Sequence, residues 1–528
     1  MNHELSTMNY IDYIVIAAYI LFFLYLGMRF KDNSSAKDYF LGGKSFGWIA
    51  LALSTAATQL SAISFISAPA FVGLKQGGGM MWLTYEFAVP LAMLFLMVFL
   101  IPPLYKSGIV SVYGYLEKRF SASTRVILSI VFQFSRAFGT GVMVYAVALI
   151  LMSVLDIEMW QTIGIVGIVT LIYSYQGGMK AVVYGDVIQM VILLLGMVIC
   201  FGYGLHYLGG WEAFTEQVDR ERLQAVNFDS MGLEKGDEFG FWPMLLGGFF
   251  LYVSYYGTDQ SQVQRLFSAK SLGTVKATLL TNGLMRFPIT FFYCVMGLVI
   301  GTFVMSQPDF LAKIPQDKPD YMIPIFIRDY LPHGVIGILI VAIFSAAMSS
   351  LSSAINSLSA ASVEDLFNRD KQLEQATYMR YSRYAALFWG VFCLIAAFFV
   401  GSIADTVIEA INKIGSMFYG PILATFIAAI AIKRTTSQGA NIGIIAGVAV
   451  NFYLWQYVPE IFWFWWNFIG TAVTLIVGYL VSLAFPPQEH DSLNLLEHKF
   501  EFDVKRGLLL IGFFILIVII SVNVPNLI

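Results

Sequence analysis

Apolar residues in this chain are gathered into long segments instead of alternating with polar ones. A window of about 19 residues finds about fourteen segments long enough to cross a bilayer as helices. They start near residues 10, 46, 80, 125, 158, 183, 240, 276, 332, 379, 404, 437, 459 and 507. The first segment, residues 10–30, follows neither a basic region nor a small-residue cleavage site, so it is predicted to be an uncleaved helix. The pattern predicts an all-α polytopic membrane protein.

The connecting segments carry no soluble domain and show a charge bias. The longest loops, about 209–238 and 306–331, are too short to fold as separate domains, so residues 1–528 are predicted to form a single transmembrane transporter domain. If the N-terminus is outside, about 21 of the 31 basic residues lie in inside loops and about 7 in outside loops. This bias predicts a multi-pass protein of the plasma membrane, the bacterial inner membrane, with both termini outside.

Composition narrows the functional class. Hydrophobic residues make up 58% of the chain and charged residues 12%, with a mean hydropathy of +0.73, which exceeds the range of soluble domains. The net charge of −3 gives no basic surface for nucleic acid. Gly43-Lys44-Ser45 resembles the end of a phosphate-binding loop, but the required first glycine is Asp38. The chain has no paired catalytic constellation and no nucleotide motif, which predicts a protein that is not an enzyme and that draws on an ion gradient.

Two clusters of small polar residues interrupt the apolar segments, where polar groups are costly unless they face a cavity, a partner helix or an ion. Residues 54–64, followed by Pro69 and Gly73, favour a helix that unwinds and frees carbonyl oxygens for a cation. In residues 346–357, positions 346, 349, 350 and 353 share one helical face. Their oxygen atoms suit a hard cation such as sodium, although small residues also permit close helix packing.

A third cluster, residues 252–265, combines tyrosines with a charged end. It is interpreted as a cavity wall that meets a cytoplasmic gate, and an interfacial aromatic belt is the alternative interpretation. Charged residues within or at the ends of spans are functional candidates; they are Glu86, Arg136, Asp186, Arg286 and Lys413.

Several separated motifs together resemble one family. The most specific are residues 346–356, 177–189 and 259–265, and residues 116–120 and 38–43 add support. On these motifs, in this order, the chain resembles the solute:sodium symporter family, which includes sodium-coupled sugar, sialic acid, proline, pantothenate and iodide transporters.

The resemblance covers nearly the whole chain. It implies a leucine-transporter-like core of five plus five helices in inverted repeats, each opened by a broken helix. The repeats are expected at residues 46–208 and 240–433, with an extra helix at 10–30 and further helices at 437–528.

The resemblance also implies two sodium sites. Matched residue by residue, the first consists of Ala57, Leu60, Ala346, Ser349 and Ser350. The second consists of Asp186, Ser349, Ser352 and Ser353. An aspartate at the start of a span can also be a helix cap or gate residue, which is the alternative for Asp186.

The resemblance implies solute contacts from more than one branch of the family. Residues 84–87 resemble the sugar-transporting branch of the family. Arg136 lies about one helical turn from the position of the arginine that binds a carboxylate in the sialic acid branch. The alternative is that Arg136 pairs with an acidic side chain of the protein itself. The substrate-binding candidates are Gln59, Ser64, Tyr85, Glu86, Arg136, Tyr252, Tyr255, Arg286 and Asn412.

Together these features predict a sodium-coupled secondary active symporter. It is expected to import a small polar organic solute, with a sugar or polyol-like compound favoured, by alternating access. The alternatives are a sodium symporter for a carboxylate such as sialic acid, and a proton-coupled transporter or non-transporting membrane sensor. The expected coupling ion is sodium. The protein is expected to be surrounded by membrane lipid and to function as a monomer.

Overall fold

The computed structural model describes residues 8–30, 36–60, 62–155, 157–368, 373–399, 406–487 and 500–528. Within these ranges the chain is helical and forms no named strand, apart from one isolated bridge between Phe46 and Ala269. Ser61 of the first polar cluster and the predicted span start near 404 lie outside the described residues.

The principal helices begin close to the predicted positions. They are α1 Tyr10–Arg29, α2 Trp48–Gln59, α3 Ala62–Gly73, α4 Met80–Lys106, α5 Ala122–Leu155, α6 Met159–Leu208, α7 Phe241–Thr258, α8 Gln260–Phe267, α9 Leu272–Ser306, α10 Val335–Ala361, α11 Gln375–Ala397, α12 Val407–Ala431, α13 Ser437–Tyr457, α14 Trp465–Leu483 and α15 Val504–Val522. Among the described residues nine helical segments are long and apolar enough to span a membrane, or ten if α2 and α3 form one bent span. The count of about fourteen therefore stays a prediction.

Two helical segments are interrupted where polar residues replace apolar ones. The axes of α2 and α3 meet at 55°, and Leu60 leaves the helix with φ −82° and ψ 85°. Between α7 and α8, Asp259 is extended, and its carboxylate accepts the Ser261 N–H at 2.8 Å as an N-cap. Each break places helix ends, whose backbone groups lack helical partners, inside the bundle.

Gly178 divides α6 into two arms. Its φ of 53° and ψ of −151° are not helical, and a Cβ there would lie 2.7 Å from the carbonyl oxygen of Tyr39. Only glycine tolerates both conditions without strain. The motif 177–189 therefore contains the bend from which the second arm of α6, with Asp186, runs into the bundle.

Helix α10 lies at the centre of the bundle, and its residues from Leu339 to Ala361 are buried. It packs against α6, α5, α11, α2 and α1. The first helix is tied to its start, because the Asp12 carboxylate accepts the N–H groups of Gly334 and Gly337 at 2.8 and 2.7 Å. A Cβ on Gly337 would lie 2.8 Å from the Asp12 Cα, so the two helices approach closely at this glycine.

The outer surface of the bundle is apolar. Large side chains such as Trp160, Phe388 and Ile445 are 59–64% exposed. Contact of such apolar side chains with lipid is favourable, whereas their exposure to water is unfavourable.

Candidate solute cavity and sodium site

A cavity of about 90 Å³ lies beside the break between α2 and α3 and is also bordered by α4, α5, α7, α9 and α12. All the predicted substrate residues except Glu86 line it: Gln59, Ser64, Tyr85, Arg136, Tyr252, Tyr255, Arg286 and Asn412. Further lining residues, which the sequence did not single out, include Met143, Tyr293, Ile408, Ile411 and Tyr419.

Glu86 lies behind the wall because it is paired. Its two carboxylate oxygens are each 3.1 Å from the Arg286 Nε, and Oε1 also accepts the Thr290 hydroxyl at 3.1 Å. Arg286 therefore reaches the cavity with its charge balanced by a buried partner.

Three donor groups at this end of the cavity lack a hydrogen-bond partner within the described part of the chain. They are Arg286 Nη1, the Tyr252 hydroxyl and the Tyr293 hydroxyl. The ring of Tyr252 stacks on Tyr85, with ring centroids 5.3 Å apart and planes at 11°. Buried donors without partners are costly, so this end favours a ligand that carries oxygen acceptors.

Arg136 contributes a second set of donors from α5. Its side chain is 7% exposed, and its Nη1 is 3.7 Å from Asp259 Oδ2, beyond hydrogen-bond distance. The other Asp259 oxygen already accepts two bonds from Ser261. Nε and Nη2 of Arg136 have no partner among the described residues, and the guanidinium lies 5.8 Å from the centroid of the Tyr255 ring. The hydroxyls of Tyr255 and Tyr419 also interact with the guanidinium. A planar guanidinium that meets no carboxylate at hydrogen-bond distance is suited to bind one.

The residues of the first predicted sodium site lie where α10 faces the break in α2. Ala57, Leu60 and Ala346 are buried, and α2 packs against α10. The hydroxyl of Ser350 is buried and makes no hydrogen bond in the described ranges, whereas that of Ser349 donates to Asp186 Oδ1 at 2.6 Å. One free hydroxyl oxygen therefore remains available to a cation.

The residues of the second predicted sodium site surround an arginine. Asp186 Oδ2 accepts bonds from Arg265 Nη2 at 2.7 Å and from Ser54 at 2.5 Å. Ser353 also accepts from Arg265, and the hydroxyls of Ser352 and Ser353 donate to the Ser349 carbonyl at 3.0 and 2.6 Å.

The predicted oxygens of the second site are thus together, but a guanidinium is bonded among them. A sodium ion that binds Asp186 Oδ2 would replace the bond from Arg265. The sequence did not indicate this partner, although Arg265 ends one of the family motifs.

The end of α8 is closed by polar contacts with neighbouring segments. Gln264 Nε2 donates to the Phe40 carbonyl and to Asn356 Oδ1, both at 2.7 Å. The Tyr113 hydroxyl donates to the Thr258 carbonyl at 3.0 Å. Tyr252 and Tyr255 of the third polar cluster line the cavity, and the gate in residues 252–265 stays a prediction.

Comparisons with known proteins identify the class of this chain. Its relatives are polytopic membrane transporters and not enzymes, and its helical bundle resembles that of a solved transporter. The model of the sodium:solute symporter family matches residues 39–447, and the chain belongs to this family. The predicted all-α fold class, the family, and sodium-coupled symport are thereby confirmed.

Three relatives illustrate the similarity. The chain is 28% identical over 497 residues to the sodium/sialic acid symporter NanT of Aliivibrio fischeri, covering 91% of this chain and 95% of that protein. It is 31% identical to the sodium-coupled monocarboxylate transporter 1 of Mus musculus, covering 84% and 72%. A solved outward-open, substrate-bound sodium-coupled sialic acid symporter superposes with a TM-score of 0.81 at 25% identity, covering 91% and 99%.

Proposed function

We propose that this chain imports a small organic carboxylate together with sodium. The observation that carries the proposal is Arg136, a buried guanidinium in the cavity wall whose Nε and Nη2 have no partner in the described residues. A carboxylate matches both its charge and its paired donors. The named solutes of the relatives above, sialic acid and monocarboxylates, support an acidic solute.

The other end of the cavity supports a solute that also carries hydroxyl or carbonyl oxygens. Arg286 Nη1, Tyr252 and Tyr293 offer donors there, while Glu86 balances the charge of Arg286. A second carboxylate would bring an unbalanced charge to this end, whereas a neutral oxygen would not. The sugar or polyol that the sequence favoured would use this end alone and leave Arg136 without an anion.

Sodium is proposed to bind at Ala57, Leu60, Ala346, Ser349 and Ser350, and a second ion at Asp186, Ser349, Ser352 and Ser353 once Arg265 has moved. The proposed inverted repeats, residues 46–208 and 240–433, each begin with a broken helix, α2–α3 or α7–α8. In the proposal the chain acts as a monomer in the lipid bilayer with both termini outside. Sodium stabilises the conformation that binds solute, and the loaded chain then opens to the other side.

The number of sodium ions decides whether the membrane potential drives uptake. One sodium ion with a monocarboxylate carries no net charge, so only the ion gradient contributes, about 1.4 kcal/mol for a tenfold gradient. A second ion moves one net positive charge, which adds about 2.3 kcal/mol per 100 mV. Electrogenic uptake of a monoanion would therefore support the second site.

The test is uptake of a labelled panel into proteoliposomes under an inward sodium gradient or an equal choline gradient. The panel contains monocarboxylates, hydroxycarboxylates, sialic acids, hexoses and polyols. Sodium-dependent accumulation of carboxylates, reduced in Arg136→Gln but not in the exposed control Lys270→Gln, which lies outside the cavity, supports the proposal. Accumulation of hexoses or polyols alone would contradict the carboxylate, and accumulation driven only by a pH gradient would contradict sodium.

A further inference from the structure

A small enclosed pocket lies next to the solute cavity and contains a buried aspartate. Asp320 belongs to the turn Pro319–Tyr321 between α9 and α10, and it is 7% exposed. The pocket is lined by this aspartate together with residues of α3, α5 and the start of α12. Ile63 of α3 lines both this pocket and the solute cavity, so only a thin layer separates the two spaces.

The Asp320 carboxylate holds the first turn of α12. Its Oδ2 accepts the Val407 N–H at 3.0 Å, and its Oδ1 has no hydrogen-bond partner among the residues that the structure describes. The next N–H, that of Ile408, donates to the Ser67 hydroxyl of α3 at 3.0 Å. The loop and α3 therefore hold two adjacent N–H groups that the helix itself leaves unpaired.

The same turn of α12 forms part of the solute cavity. Ile408, Ile411 and Asn412 line the cavity. Movement of the α12 start away from α3 would open the cavity toward the face that carries the Pro319–Tyr321 turn. Such movement must break the bonds made by Asp320 and Ser67.

We propose that Asp320 is a positioning residue for transport: its carboxylate fixes the start of α12 over the solute cavity, and this contact breaks whenever the cavity opens toward the loop. The residue touches neither solute nor sodium. It acts by setting the balance between the closed and open forms of this side of the transporter.

The surroundings of Asp320 make this contact sensitive to pH. Burial is the main reason that the pKa of Asp320 is raised from its ordinary value of 3.8 to about 6. The Ser67 hydroxyl and the Val407 N–H lower this pKa, and the nearby Glu409 raises it. The other titratable group that interacts with it is Tyr145 of α5, which also interacts with Tyr321. Lys75, two residues beyond the end of α3, lies 3.4 Å from Glu409.

The sign follows from comparing the two forms. In the open form the carboxylate is hydrated, and its pKa returns toward 3.8. The closed form therefore binds the proton more tightly, so acid stabilises the closed form and a rise in pH favours opening. With pKa values of about 6 and 3.8, the ratio of open to closed forms rises about fourfold between pH 5.5 and pH 7.5.

The experiment measures access to the cavity in the full-length protein in lipid nanodiscs, where both faces meet the same pH. Met143, a cavity-lining residue, is replaced by cysteine, and the rate of modification by a polar thiol reagent is followed. The three native cysteines are buried, and the chain without the new cysteine gives the background. This modification rate can be measured without knowing the solute, so the result does not depend on the proposed carboxylate.

Two variants separate the charge from the contact. Asp320→Asn keeps an oxygen that accepts the Val407 N–H but does not titrate, and Asp320→Ala removes the contact. At each pH, the modification rate of the chain with Asp320 is divided by the rate of the Asp320→Asn variant. This ratio cancels the pH dependence of the thiol itself. We expect this ratio to rise about fourfold from pH 5.5 to pH 7.5, and we expect Asp320→Ala to react faster than Asp320→Asn at both pH values.

A constant ratio of wild type to Asp320→Asn would overturn the proposal, as would equal rates for Asp320→Ala and Asp320→Asn. Sodium-dependent thermal stability of each variant shows whether it is folded. If Asp320→Ala does not fold, the comparison of wild type with Asp320→Asn decides the question alone.

Discussion

Arg136 and Arg265 are both buried guanidinium groups beside an aspartate, yet their hydrogen bonding differs. Arg265 donates from Nε to Ser54, from Nη1 to the Ser261 carbonyl and from Nη2 to Asp186. Arg136 approaches its aspartate only to 3.7 Å and leaves Nε and Nη2 without partners within the described residues.

The difference in hydrogen bonding distinguishes an arginine that holds helices together from one that is available to a ligand. A fully bonded buried ion pair fixes the relative positions of the helices that contribute to it. An incompletely bonded one carries an energetic cost that a ligand can remove. On this basis we propose that Arg265 stabilises the conformation seen here and that Arg136 binds the solute.

The largest expected effect comes from removing the bonded arginine. Arg265→Gln leaves Asp186 buried without its cation, and we expect the free energy of unfolding to fall by about 3–5 kcal/mol. Chemical unfolding in mixed micelles measures the change. The matched control is the double variant with Asp186→Asn, which removes both charges and should recover most of the loss. If the double variant is as unstable as the single one, the ion pair is not the cause.

Arg136→Gln should show the opposite pattern. Arg136 lies 3.7 Å from Asp259, and Asp259 keeps its two hydrogen bonds from Ser261, so we expect a smaller loss of stability than in Arg265→Gln. Uptake of the carboxylate should nevertheless fall about 100-fold, equivalent to about 3 kcal/mol. Arg136→Lys, which keeps the charge without the paired donors, should be intermediate. Unfolding and initial uptake rates are measured on the same preparations. A large loss of stability with normal uptake would reverse the roles assigned to the two arginines.

A smaller effect is expected at the unpaired hydroxyl beside Arg265's network. Ser350→Ala removes an oxygen that has no partner in the described structure, so the fold should be unaffected while half-saturating sodium rises about tenfold, or about 1.4 kcal/mol. The control is Ser357→Ala on the same helix, because the Ser357 hydroxyl donates to the Ala354 carbonyl at 2.9 Å. Equal sodium activation in both variants would remove Ser350 from the sodium site.

The smallest effect should come from the far end of the cavity. Tyr293→Phe removes one donor that lacks a partner in the described ranges, which is worth about 1 kcal/mol for a neutral hydrogen bond. We expect about fivefold weaker uptake of a hydroxycarboxylate and little change for an alkanoate of equal length. Competition assays with the two solutes measure this ratio. An unchanged ratio would show that Tyr293 does not contact the solute.

The sequence predicted the helices and most of the cavity because both are periodic or local features. Apolar runs predicted starts near those observed for α1 and α4, and the polar run in 54–64 predicted the break that follows Gln59. The motif resemblance and the polar residues within spans predicted the substrate candidates, and eight of the nine line the cavity.

Three features were not predictable, for physical reasons. The pairing of Asp186 with Arg265 joins residues 79 positions apart, and no local pattern reports such a contact. Tyr293 lies in an apolar run, where an aromatic residue that lines a cavity has the same pattern as one that only packs. The sequence predicts that Glu86 faces the solute because it follows Tyr85, but its carboxylate oxygens accept from Arg286 instead.

The contact between Asp12 and the start of α10 has a consequence for anyone who shortens or labels this protein. The first helix lies outside the proposed repeats, so a minimal transporter could be designed without it. Its carboxylate nevertheless caps the very helix that carries Ser349 and Ser350. Deleting α1, or fusing a reporter that pulls it aside, would expose those N–H groups and disturb ion coupling from a distance, so reporters belong elsewhere on the chain.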